Sequence, residues 1–169
     1  MTVQEQIIDF SAGDLSSDAQ RAMYEYWIEA RGRASLPPKT ALDPVEFPRD
    51  ALPLLAVVEP VGDDDFRVRI TGTGIRAATG RDLTGTKVSQ IEGAHNARER
   101  MIKCLENVSA YFVKGSADWA QKPNKYFTAL VLPFGTTQHV ERILLVFNFS
   151  HHAPAAGTQR SGASRLDRS

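Results

Sequence analysis

The chain has 169 residues, which is enough for one domain with a sizeable hydrophobic core. Hydrophobic residues make up 42% of the sequence and charged residues 24%, as in ordinary globular proteins. The 20 basic and 20 acidic side chains give a formal net charge of +0, so there is no electrostatic basis for binding nucleic acid or an anionic membrane.

The N-terminal segment and the cysteine content indicate the compartment. The start, MTVQEQIIDFSAGDLSS, lacks the basic residues and the apolar run of a signal peptide. The longest apolar run, ALPLLAVV, is too short to cross a bilayer. A single cysteine, Cys104, excludes an internal disulfide and a cysteine-built metal cluster. The sequence therefore predicts a cytoplasmic protein, and residues 1–15 are expected to be flexible.

An amphipathic helix is predicted over residues 16–32. Ser17 and Gln20 have the spacing of a capping box, in which each side chain satisfies a free backbone donor at the helix start. Gly32 is a natural stop. Apolar residues recur at helical spacing along one side of this segment. They are Ala19, Ala22, Met23, Tyr26, Trp27 and Ala30.

Residues 33–150 are predicted to form the folded core. A proline-rich connector, LPPKTALDPVEFP, leads to two strands, PLLAVVEP and FRVRIT, joined by the polar turn GDDD. In the second strand Phe66, Val68 and Ile70 are expected on one face. A helix, HNARERMIKCLENV, and three strands, AYFVKGSADW, KYFTALVLPF and VERILLVFNF, follow. Residues 151–169 have too few apolar side chains to pack and are predicted to be a disordered tail.

The last two strands are apolar on both faces, so both faces of the sheet must be covered. Short helices can cover one face. The other face requires either the N-terminal helix or a partner subunit, and the sequence leaves this choice open.

A glycine motif offers one enzymatic interpretation. Gly72, Gly74 and Ala77 have the G-x-G-x-x-A spacing of a dinucleotide-binding loop. Such a loop needs a doubly buried parallel strand before it and a full crossover helix after it. Here the preceding strand carries arginines on one face, and Gly80 would end the helix within two turns. We therefore favour a turn into short helices, and a nucleotide- or cofactor-binding enzyme using the Gly72–Gly74 loop is the alternative.

Other reactive side chains do not assemble into a site. Cys104 lies on the apolar side of its helix, where a lone cysteine usually acts as a small hydrophobic residue. His151 and His152 are neighbours on a strand and point to opposite faces, so they cannot easily share a metal. Asp63–Asp65 lack the spacing of a calcium loop. No metal site is predicted.

Four blocks of the sequence resemble a known family. They are Trp27 with Arg31, then LPPKTALDP, FRVRITGTGIRAATGRDLTGTKV and VLPFGTTQHVERILLVF, which together span about residues 23–149. In this order they resemble the PAS-like family of alphaproteobacteria, of the PAS_5 type. The resemblance implies an α+β PAS fold, in which a five-stranded antiparallel sheet carries short helices on one face and is flanked by the N-terminal helix.

The resemblance also implies a stand-alone sensory and signalling module without catalysis. Such a module would act by binding a small ligand or a protein and by dimerising, although a solid dimerisation module without a cavity is a further possibility. The flavin signature N-C-R-F-L-Q is absent and no haem ligand is marked, so the cofactor is unknown. The last hairpin turn, GTTQH, also departs from the acidic or Asp-Gly turn usual in the family.

Two sets of site residues follow from the implied fold. A ligand would lie between the sheet and the helices, where Arg69 or Arg76 could face an anionic group or instead both lie exposed over a filled core. The pocket candidates are Arg69, Gly72, Gly74, Arg76, Met101 and Cys104. The candidate surface for a homodimer or for a protein signalling partner is Met23, Tyr26, Trp27 and Ala30.

Overall fold

A single antiparallel sheet with helices on both faces forms the fold. The computed structural model describes residues 4–7, 9–117 and 126–152, and these contain six strands in the order β1-β4-β5-β6-β2-β3. The strands are β1 Gln4–Ile7, β2 Leu55–Val61, β3 Asp65–Thr71, β4 Tyr111–Ser116, β5 Tyr126–Thr136 and β6 His139–Ser150. The α-helices are α1 Asp18–Arg31, α2 Thr73–Thr79 and α3 His95–Asn107.

The prediction of five strands is wrong by one, because β1 forms within the segment that was expected to be flexible. Gln4 pairs with Gly115 and Ile7 with Phe112, so β1 lies antiparallel to β4 at the edge of the sheet. Without β1, the outer backbone groups of β4 would be unpaired. The short sequence QEQI carries no alternating pattern that would indicate a strand.

Helix α1 covers one face of the sheet, so no partner subunit is needed there. The Ser17 hydroxyl accepts a hydrogen bond from the Gln20 backbone N–H at 3.1 Å, as predicted. The Gln20 side chain, however, accepts from the Ser16 N–H at 2.8 Å instead of completing the capping box with Ser17. Its amide nitrogen donates to the Val146 carbonyl at 2.9 Å and to the Thr128 hydroxyl at 3.2 Å. These bonds connect α1 to the two central strands.

The hairpin of β2 and β3 contains a β-bulge that changes which side chains point inward. Val58 pairs with Val68, but Val57 pairs with Ile70, so Arg69 is the additional residue. Phe66 and Val68 are buried as predicted, whereas Ile70 is 49% exposed. The prediction that Ile70 shares a face with Phe66 and Val68 is therefore wrong. The extra residue of the bulge shifts the alternation of side chains by one position, so that Thr71 is buried in place of Ile70.

The hydrophobic core lies on both faces of β5 and β6, as their apolar pattern predicted. Leu130, Leu132 and Leu144 are completely buried on the side of α1. Helices α2 and α3 cover the opposite face together with short 3-10 turns. The predicted disordered tail comprises residues 151–169, and its residues from 153 onward lie outside the described part of the chain.

Candidate functional site

A cavity of about 90 Å³ lies between the sheet and helices α2 and α3 and opens partly to solvent. One water molecule requires about 10–15 Å³, so the cavity has room for several non-hydrogen atoms. Its apolar wall comes from the sheet, from both helices and from the segment between them. The apolar lining includes Ala56, Val58, Val68, Ile75, Leu83, Val88, Ile91, Ala97, Met101, Val113, Phe127, Ala129, Val131, Leu145 and Phe147.

The floor of the cavity includes one row of residues across five strands. Tyr111 pairs with Val131, Val131 with Leu145, Leu145 with Ala56, and Ala56 with Thr71. All five line the cavity. The row therefore has an apolar centre and a hydroxyl group at each end, and the small side chain of Ala56 leaves space above its strand.

Arg100 brings a positive charge to the cavity. It lies on α3, its Nε atom is buried, and its guanidinium forms a hydrogen bond with the Tyr111 oxygen. Burial lowers the pKa of Arg100, although the hydrogen bond to Tyr111 opposes this effect. Burial also raises the pKa of Tyr111 well above its ordinary value, so the phenol is neutral at physiological pH. One end of the floor is thus a cation next to a neutral hydroxyl.

Thr71 is the polar residue at the other end of the floor. It is only 5% exposed, and its side-chain oxygen is buried without a hydrogen-bond partner among the described residues. The other buried threonines, Thr79 and Thr128, do have partners: the Thr79 hydroxyl donates to the Ile75 carbonyl at 2.7 Å, and the Thr128 hydroxyl accepts from Gln20. Buried hydroxyls are usually satisfied, so Thr71 is exceptional.

Of the six predicted pocket residues, only Met101 lines the cavity. Arg69 forms an ion pair with Glu59 at 3.2 Å, and Arg76 forms one with Asp82 at 3.4 Å, both on the surface. Neither arginine therefore faces this cavity, and a ligand contact of either one stays a prediction. Arg69 follows the inward-facing Val68, so strand alternation places its side chain on the opposite face, where Glu59 pairs with it.

Gly72 and Gly74 permit close packing of the backbone against Pro53. A Cβ atom on Gly72 would lie 2.3 Å from the Pro53 carbonyl oxygen, and one on Gly74 would lie 2.9 Å from it. Helix α2 has only seven residues and ends at Gly80, which has a φ of 77°. The strands on either side of α2 pair antiparallel to their neighbours. The crossover unit of a dinucleotide fold is therefore missing from the described part of the chain.

Cys104 is a buried core residue, as its position on α3 suggested. Its thiol donates a hydrogen bond to the Ser109 carbonyl at 3.4 Å. Burial raises the pKa of Cys104 to about 12, so the reactive thiolate is not populated at neutral pH. Cys104 does not line the cavity, and none of the described lining residues is a histidine. The described part of the cavity wall thus provides none of the usual histidine or cysteine ligands for haem iron.

The predicted dimer surface is only partly accessible. Met23 and Trp27 are buried against the sheet, and the Trp27 indole donates to the Pro133 carbonyl at 2.8 Å. Tyr26 and Ala30 are half-buried, and the Tyr26 hydroxyl donates to the Ala41 carbonyl at 2.7 Å. Met23 and Trp27 are therefore unavailable to a partner while α1 is docked, because a single chain buries them itself. Dimerisation stays a prediction.

Sequence reasoning missed Arg100, Tyr111 and Thr71. A signal for Arg100 was present, because it stands three residues after Ala97 and four before Cys104, on the apolar side of α3. A positive charge on the buried side of a helix is unusual and indicates a special role. Thr71 gave no such signal, since its inward position depends on the bulge.

The described residues also bear on metal binding and on membrane insertion. They contain no group of three or more potential metal-ligating side chains. None of their helices is both long and apolar enough to pass through a membrane.

The comparison with protein families agrees with this architecture. A family model described as PAS_5, a PAS domain, matches residues 15–147. This chain belongs to the PAS domain family. The matched region contains every residue that lines the cavity of this PAS domain. Neither the curated proteins nor the solved structures gave a match. The predicted family and the α+β PAS fold are therefore confirmed, and the family indicates a sensory or signalling module.

Proposed function

We propose that this PAS domain is a non-catalytic sensor, which binds a small and largely apolar ligand in the cavity and transmits the change to α1. The observation that carries the proposal is the position of β5, which lines the cavity on one face of the sheet and bonds to α1 on the other. Phe127 and Ala129 line the cavity, while Thr128 between them bonds to Gln20 of α1. A shift of this strand would therefore act on both faces of the sheet.

The chemistry of the cavity wall supports binding in preference to catalysis. The described lining residues include no aspartate, glutamate, histidine or cysteine. General acid–base or nucleophilic catalysis commonly uses one of these side chains near the substrate. An apolar pocket with a few polar groups is instead typical of a ligand-binding site.

Transmission to α1 depends on the hydrogen bonds of the Gln20 side chain. The Gln20 amide donates to the Thr128 hydroxyl at 3.2 Å and to the Val146 carbonyl at 2.9 Å. Hydrogen bonds weaken steeply with distance and angle, so small displacements of β5 or β6 would loosen the docking of α1. The exposed side of α1, which includes Ile28 at 39% exposure, would then present the altered surface to a protein partner.

Toluene, a neutral apolar probe, provides a test of ligand binding. We expect it to raise the melting temperature of the wild-type protein and to change the amide hydrogen exchange of α1. The substitution Ala129→Leu fills the cavity and should abolish both effects. Ala77→Leu adds the same atoms at an exposed position of α2 and serves as the matched control. Equal stabilisation of the Ala129→Leu variant, or an α1 that does not respond to bound toluene, would contradict the proposal.

A further inference from the structure

The polar groups of the cavity lie at opposite ends of its floor. Tyr111 on β4 and Thr71 on β3 are separated by four strand spacings in the paired row. At about 4.8 Å per spacing, this amounts to roughly 19 Å along the sheet. The twist of the sheet makes the direct path shorter. Val131, Leu145 and Ala56 form an apolar track between the two ends.

The end at Arg100 is suited to an anion. Arg100 lines the cavity, and its guanidinium carries five N–H donors in a planar fork. The fork matches the two oxygens of a carboxylate, and such charge-assisted pairs are stronger than bonds between neutral groups. The apolar surroundings strengthen the attraction further, because they lower the local dielectric constant.

The end at Thr71 is suited to a neutral polar group. Thr71 lines the cavity, and its hydroxyl is buried and has no hydrogen-bond partner among the described residues. A hydroxyl or carbonyl on the distal end of a ligand would provide one. This observation is independent of Arg100, and it identifies the direction in which the body of the ligand extends.

We propose that the ligand is an amphipathic carboxylate, whose carboxylate binds to Arg100 and Tyr111 and whose apolar chain runs over the floor of the cavity toward Thr71. This inference rests on the proposed ligand-binding role of the cavity and adds the chemical class of the ligand. A chain that ends in a hydroxyl gains an additional bond at Thr71.

The head group is tested by calorimetric titration of the full chain with octanoate and with octanol, which have the same apolar chain length. We expect octanoate to bind at least about tenfold more tightly, as one charge-assisted contact would give. The variant Arg100→Met should lose this preference. Arg98→Met is the matched control, because Arg98 lies on the same helix and donates to the Asp64 carbonyl outside the cavity.

Tyr111→Phe provides a second variant if Arg100→Met does not fold, since it removes a single oxygen. It should reduce the preference for octanoate while octanol binds as before. Equal affinity of the wild type for octanoate and octanol would overturn the inference, and so would a preference that survives in Arg100→Met. In either case binding of toluene would continue to support the proposed function, so the two failures are distinguishable.

The distal end is tested with ω-hydroxydodecanoate, because its longer chain approaches the roughly 19 Å between the two ends. It should bind more tightly than dodecanoate to the wild type by about threefold or more, as one neutral hydrogen bond would give. Thr71→Val should remove this difference while the preference for octanoate over octanol remains. If Thr71→Val leaves the difference unchanged, the chain does not run toward Thr71 and that orientation is wrong.

Discussion

Replacement of Thr71 by valine should stabilise the protein in the absence of ligand. Valine has nearly the shape of threonine and places a methyl group where the hydroxyl lies. In the unfolded chain the hydroxyl is hydrogen-bonded to water, whereas in the folded protein its oxygen is buried without a partner among the described residues. Folding of the wild type therefore includes a desolvation penalty that the variant avoids.

The size of the effect follows from this penalty. A buried polar group without a partner costs about 1–3 kcal/mol. Thr71 is 5% exposed and lies in a strand, where valine is favoured over most residues. We expect Thr71→Val to raise the free energy of unfolding by about 1 kcal/mol. For a chain of this size that is a rise in Tm of about 2–4 °C.

Urea denaturation at neutral pH, followed by tryptophan fluorescence, measures the difference. Two buried threonines provide matched controls with the same substitution. Thr79→Val removes the bond to the Ile75 carbonyl, and Thr128→Val removes the bond from Gln20. Each control should lower the free energy of unfolding by about 1 kcal/mol, because a satisfied hydroxyl is lost.

The three variants should thus differ in sign although the chemical change is identical. If Thr71→Val is destabilising to the same extent as Thr79→Val, the Thr71 hydroxyl has a partner and the reasoning fails. A stabilising effect would mean that the wild type keeps a costly hydroxyl in its cavity. Such a cost is expected where a residue serves binding and not stability.

Three further predictions concern the packing. Gln20→Leu removes the hydrogen bonds of the Gln20 side chain to Thr128, Val146 and the Ser16 N–H, and it should lower the free energy of unfolding by about 2 kcal/mol in urea denaturation; an unchanged value would show that α1 docks without them. Gly72→Ala should lower the free energy of unfolding by about 2 kcal/mol or more, because the new Cβ would lie 2.3 Å from the Pro53 carbonyl oxygen. Gly13→Ala is the control and should have little effect in the same assay, since its Cβ would lie 3.8 Å from the nearest atom. The pKa of Cys104 rises from 9.0 to about 12 on folding, so the unfolded chain releases its proton first and stability falls between these pH values. A Cys104→Ala variant should lose less stability than the wild type between pH 9 and pH 12, by up to about 1.4 kcal/mol per pH unit, and parallel pH profiles would contradict the shift.

The elements with strong periodic signals could be predicted from the sequence. The start of α1 at Ser17 follows from capping chemistry, and its end follows from Gly32. The apolar faces of β5 and β6 predicted central strands covered on both sides. These predictions succeeded because each depends on short-range spacing and on the need to bury apolar surface.

The site residues could not be predicted in the same way. Arg69 and Arg76 were chosen because they stand next to the glycine motif, but the first lies on the outward face of β3 beside Glu59 and the second lies on the exposed side of α2. Arg100, the arginine that lines the cavity, required attention to the buried side of α3. The glycines have a packing role that only the close approach of Pro53 reveals.

The pairing of β1 with β4 has a consequence for synthesis of the chain. Gln4 is made more than a hundred residues before its partner Gly115. At about 5–20 residues per second, the ribosome takes at least several seconds to supply that partner. During this interval the N-terminal strand has no neighbour to pair with, while the hairpin of β2 and β3 can already close. The sheet is therefore completed at an edge by β1, the strand that is made before the other five described strands.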